Sequence, residues 1–127
     1  MILKKGKQIS LIVAFMIMAF THLTAQSKSL KDSTPEQRAK MQTEWMKTKL
    51  ALNSSQTRQV YDLNLQYAKK NEPILQSNEG KMAKFKKLKA IQQEKSFVLS
   101  KILTDEQFKK YQEMIDQMIQ NFKNKRK

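Results

Sequence analysis

A chain of 127 residues with 25 lysines and arginines against 11 acids carries a formal charge of +14, and it holds one histidine and no cysteine. That length suits one domain, and the missing thiols exclude a disulfide framework and a thiolate metal site. Nucleic acid would fit the charge, but the beginning of the chain argues against such a partner.

The first 25 residues read as a secretory signal. Lys4, Lys5 and Lys7 form a positive start, Ile9 to Phe20 is an almost unbroken apolar run, and Thr21 to Ala25 ends on a small residue, which places cleavage before Gln26. A run of 12 residues is too short for a membrane span of roughly 20. No cysteine follows it, so a lipid anchor is not expected. Cleavage would remove three lysines and His22, leaving about 102 residues with a charge of +11 and no imidazole. Small secreted domains of eukaryotes usually carry disulfides, so a cysteine-free exported chain suits the bacterial periplasm better. About a third of the remaining residues are apolar, fewer than the roughly 45–50% of ordinary globular domains. A thin helical layer, an elongated hairpin or a homodimer sharing one apolar seam would need fewer.

Residues 26–33 are polar and lysine-rich and read as a disordered linker, and residues 34–123 as a helical domain ahead of a basic tail at 124–127. The first helix is expected from Pro35 to about Leu50, with Met41, Trp45 and Met46 inward. Thr34-Pro35-Glu36-Gln37 opens it as a capping box: the threonine accepts from an orphan amide of the first turn, and the glutamine reaches back to the amide of the cap. The frame returns as Asn53-Ser54-Ser55-Gln56 and Thr104-Asp105-Glu106-Gln107, each preceded by a leucine, Leu52 or Leu103. The second helix starts after Asn53 and carries Val60, Leu63, Tyr67 and Ile74 at three- and four-residue steps, until Pro73 ends or kinks it. Gln76 to Gly80 reads as a turn. The third helix is expected from Lys81 to Ile102. The fourth runs from Asp105 to about Lys123 with the cleanest stripe, Phe108, Tyr111, Ile115, Met118 and Phe122, and frays from Asn121. Strand alternation and glycine-rich loops are missing. The chain is all-α, with four helices in an elongated or cradle-like hairpin arrangement.

In the third helix the seam positions are Lys81, Lys84, Leu88, Ile91, Lys95, Val98 and Ile102, with Met82, Phe85 and Leu99 beside them. Lys84 and Lys95 thus fall inside the apolar arc. Two readings stand: their stems lie on apolar surface while the heads snorkel to water, or the face is open, apolar and cationic together, and meets a partner through Met82, Lys84, Phe85, Leu88, Lys95 and Leu99. Met41, Met46, Met82, Met114 and Met118 are adaptable enough for a promiscuous surface, although plain core packing is the alternative and the better account of Met114 and Met118, which sit on or beside the strong seam. An enzyme is not expected, because no serine, lysine or carboxylate stands in a catalytic frame. Asp105 and Glu106 are accounted for by the positive end of a helix. No cofactor is implied, and thioethers such as those of Met114 and Met118 are the only soft metal ligands.

Leu103-Thr104-Asp105-Glu106-Gln107 fits the LTxxQ motif, and Leu52-Asn53-x-x-Gln56 fits an earlier copy with asparagine in place of threonine. Over Leu50 to Phe122 the chain resembles the Spy/CpxP-type periplasmic proteins. In the Thr34 box Ser33 stands where the leucine would be. The resemblance implies a four-helix cradle, usually a dimer, made in response to envelope stress, that holds unfolded or aggregation-prone proteins without ATP. Others of that group restrain a membrane kinase or bind metals. Leu52, Asn53, Gln56, Leu103, Thr104 and Gln107 carry over as determinants of helix starts. An anionic membrane surface or lipopolysaccharide is the rival partner, since charge and amphipathic helices serve it too.

Overall fold

The computed structural model describes residues 32–125; the signal segment and most of the linker lie outside the described residues. Four helices follow one another: α1 (Pro35–Leu50), α2 (Ser54–Gln76), α3 (Lys81–Leu99) and α4 (Asp105–Lys125), with no strand among the described residues. The all-α reading is correct.

All three boxes form. Thr34 Oγ1 accepts from the Gln37 amide at 3.0 Å, and Gln37 Oε1 accepts from the Thr34 amide at 2.9 Å. The Asn53–Gln56 pair shows the same exchange at 2.7 and 3.1 Å, and the Thr104–Gln107 pair at 3.1 and 2.9 Å. α1 ends in a left-handed residue, Ala51 with φ 54°, and the Leu52 amide reaches back to Lys47 O. Such a reversal normally takes glycine, because a Cβ crowds the following carbonyl there. Here it returns Leu52 to the core, 7% exposed.

Some boundaries differ from the sequence reading. α2 passes Pro73 and stops three residues later at Gln76. Proline so close to a C-terminus removes only the bond its amide would make to Lys69 O, and the end is secured otherwise: Lys84 Nζ donates to Leu75 O at 3.2 Å. α3 stops at Leu99, short of Ile102, because Lys101 and Ile102 donate to carbonyls three residues back and tighten the chain into a turn. α4 does not fray at Asn121 but continues to Lys125, held by Phe122, whose ring stacks on Phe85 at 4.1 Å between centroids and 14° between planes.

Short connections make successive helices run in alternating directions. Arg38 at the start of α1 pairs with Glu72 near the end of α2; Phe85 at the start of α3 meets Phe122 at the end of α4; Gln92 donates to the Tyr111 hydroxyl across α3 and α4. One core takes residues from every helix: Met46 and Leu50, Val60 and Leu63, Phe85 and Leu99, and Tyr111, Ile115, Met118 and Phe122. On α1 the inward face is Ala39, Thr43, Met46 and Leu50. Met41 points away from it at 41% exposed, a correction to its inward assignment. Trp45 is half-buried against the core.

Candidate functional site

The two leucine-preceded boxes are not separate caps. Gln56 Nε2 donates to Gln107 Oε1 at 2.7 Å, and Gln107 Nε2 donates to Gln56 Oε1 at 3.3 Å. Each amide nitrogen also takes a carbonyl from the turn ahead of the other motif, Gln56 from Ile102 at 3.3 Å and Gln107 from Leu50 at 3.1 Å. Each Oε1 therefore accepts from its own cap and from its partner, and each Nε2 donates twice, so both side chains use every site they own. Leu52 and Leu103 are buried beneath, at 7% and 6% exposed. The motif is thus a tertiary lock joining the starts of α2 and α4 to the ends of α1 and α3. Repetition in the sequence exposed the caps; the pairing depends on two helix starts meeting in space, which spacing along one chain does not encode.

The expected open face of α3 is closed in this monomer. Phe85 and Leu99 are core residues at 6% and 0% exposed, and Lys95 is 4% exposed. Leu88 packs half-buried against the core, Lys84 is half-buried on Leu75 O, and Met82 is exposed. The seam runs through Phe85, Leu88, Gln92, Lys95 and Leu99, so its phase differs from the expected one and Lys81 lies outside it, exposed. Lys95 neither snorkels nor faces a partner: its Nζ donates to Gln42 Oε1 of α1 at 2.9 Å. Burial pushes its ammonium from 10.5 down to about 7, because a charge removed from water without a counter-charge is disfavoured.

Further polar groups line the same interior. Asn64 Nδ2, on α2, donates to Thr43 Oγ1 of α1 at 2.9 Å and lies against the Met46 sulfur, while Asn64 Oδ1 is buried with no hydrogen-bond partner. Arg38, itself buried, donates to Ala68 O and to the Glu72 carboxylate. Tyr111, buried beside Gln92, has its hydroxyl raised to about 12 by desolvation. At the surface, Lys70 and Glu94 form an exposed ion pair that raises the lysine and lowers the acid. Lys86 and Lys87 are exposed as expected, and Lys89 half-buried.

The exposed apolar side chains are few. Met41 and the edge of Trp45 line a shallow groove along the outside of α1 with Lys40, Glu44, Thr48 and Lys49. Phe97, 64% exposed on α3, carries Lys101 over its ring at 4.7 Å. Among the described residues no group of histidines, cysteines and acids could hold a metal ion, and no helix is long and apolar enough to cross a membrane.

A four-helix chain closed by paired motif glutamines is the class this geometry defines. The chain belongs to a family described as a domain of unknown function (DUF4890), whose model matches residues 24–111. Neither a curated protein nor a solved structure matches it.

Proposed function

We propose that the protein is an exported, ATP-independent holder of unfolded chains in the bacterial envelope, of the kind the Spy/CpxP-type proteins represent. The observation that carries this reading is the pairing of Gln56 with Gln107: the two motif copies that carry the resemblance meet each other, so they act as one structural unit. The high positive charge supports it by attracting acidic segments over a distance, which gives fast, salt-sensitive capture. Weak apolar contacts then allow release without a nucleotide. In an aggregation assay with a heat-unfolded test protein, the purified chain without residues 1–25 suppresses light scattering at low salt without ATP, and less at high salt. No suppression at several-fold molar excess refutes the reading.

A second reading, binding to an anionic envelope surface, draws on the start of α3. Lys81, Lys84, Lys86, Lys87 and Lys89 crowd its first turns with no acid in the first of them, against the preference of the helix dipole. Sedimentation with vesicles containing phosphatidylglycerol, but not with phosphatidylcholine alone, would favour it over client holding.

A further inference from the structure

We propose that the client-binding surface is the face of α2, α3 and α4 that α1 covers, and that α1 is a displaceable cover competing with unfolded chains for that face. The inference rests on the holding function proposed above and names its site.

α1 commits less apolar bulk to the core than α4 does. The residues it buries are Arg38, Ala39, Thr43, Met46 and Leu50, two of them polar and one an alanine, whereas α4 buries Tyr111, Ile115, Met118 and Phe122. Its seating on the other helices includes three exchangeable polar contacts: Arg38 on Ala68 O and Glu72, Thr43 on Asn64, and Gln42 on Lys95. Water can replace each at small net cost, because a protein hydrogen bond is traded against one to solvent. Closure also carries penalties that opening relieves. Asn64 Oδ1 is sealed in without a donor, and the Lys95 ammonium is sealed in with one neutral acceptor.

The ends of α1 are unequal. Its start is held by the exchangeable contacts of Arg38, and its capping Gln37 is exposed and bonds within its own box. Its end is tied to the lock through Leu50 O and Gln107, beside the reversed residue Ala51. α1 can therefore swing away from its start while the lock holds α2 to α4 together. What it uncovers is Asn64, Ala68 and Lys95, with Val60 and Leu99 one helical turn from them on the same faces. That surface is apolar with a cation at its centre, fit for a chain presenting apolar and acidic side chains. It also accounts for Lys95 and Leu99 lying inside the closed form.

Hydrogen exchange on the chain without residues 1–25 tests this, with reduced and carboxymethylated lactalbumin as a permanently unfolded acidic probe. Amides of α1 are expected to exchange roughly tenfold or more faster than those in the middle of α2 and α4, and the probe should slow exchange around Asn64 and Lys95. Met46→Ala, which loosens the cover, should increase suppression of aggregation severalfold; Lys95→Met, which removes the buried charge, should decrease it. Should Met46→Ala unfold, Arg38→Gln loosens the cover in its place. α1 amides exchanging no faster than those of α2 overturn the cover, whatever the protein holds. Fast exchange in α1 with no probe bound at any salt overturns the holding function and the surface assignment together, while the motion of α1 stands.

Discussion

The box that opens α1 and the boxes that open α2 and α4 are locally alike and do different work. At Thr34 the glutamine satisfies one cap and faces solvent, and Ser33 precedes it; its carbonyl accepts from the buried Arg38 guanidinium. At Asn53 and Thr104 the glutamines satisfy the caps and then each other, above two buried leucines. A capping box is therefore a local device until an apolar residue ahead of it draws the turn inward. Only then does the amide group, which both donates and accepts, become the reason for glutamine in preference to glutamate.

The comparison breaks first at the leucines. Leu103→Ala should cost about 3 kcal/mol in urea unfolding, the range for emptying a buried leucine site, and Leu52→Ala a similar amount. Ser33→Ala, at the corresponding place ahead of α1, should change stability by less than about 0.5 kcal/mol. Equal losses at Ser33 and Leu103 would mean that burial of the leucine does not separate the boxes.

Gln107→Glu comes next. The carboxylate still accepts from the Thr104 amide, so the cap survives. It has no hydrogen to give to Leu50 O or Gln56 Oε1, so Leu50 O loses this donor and Gln56 Oε1 keeps only the Asn53 amide, both beside a new charge. A loss of about 2 kcal/mol is expected at neutral pH, falling as pH drops below the carboxylate range, where the protonated acid can donate again. A loss that does not shrink in acid would refute the lock as the cause.

A third test concerns how α1 is seated. Lys95 titrates at about 7 in the folded protein and near 10.5 as a free side chain. Between those values the unfolded chain binds the extra proton, so stability should rise with pH across that window. The slope approaches about 1.4 kcal/mol per pH unit. The contribution is complete above 10.5 and lost as pH falls toward 7. Lys95→Met should remove the slope and be most stabilising, relative to the parent, near pH 7. Urea midpoints measured from pH 7.5 to 9.5 check this, and parallel curves for the two proteins would show that Lys95 is not held neutral by burial.

Much of the fold could be read from the residues because local signals agreed with one another. The caps marked three helix starts, and the stripe from Phe108 to Phe122 is a seam buried from Tyr111 onward, with Phe108 half-buried against the core. The candidate site was less legible, for two reasons. α3 is studded with lysines, so its apolar arc has no clear phase, and a shift of one position separates an open face from a sealed one. A lysine ordinarily lies in water or at a surface, whereas the place of Lys95 is fixed by Gln42, 53 residues away. No periodicity within α3 could have supplied that partner.

The smallest expected effect discriminates most finely. Gln37→Glu retains the acceptor for the Thr34 amide and adds a negative charge to the first turn of α1, which favours the helix dipole. Gln37 lies in the open, with no second motif against it, so its side-chain nitrogen has water as an adequate partner. The change should be neutral or stabilising by a few tenths of a kcal/mol. The same substitution at position 107 destabilises the protein, and the opposite signs separate capping from locking without altering the shape of either side chain. If Gln37→Glu were instead as costly as Gln107→Glu, the glutamine of the first box would also need its donor, and the start of α1 would be held by more than the exchangeable contacts of Arg38. A start held by such a further bond would resist swinging, so this one substitution bears on the seating of α1 as well as on the meaning of the motif.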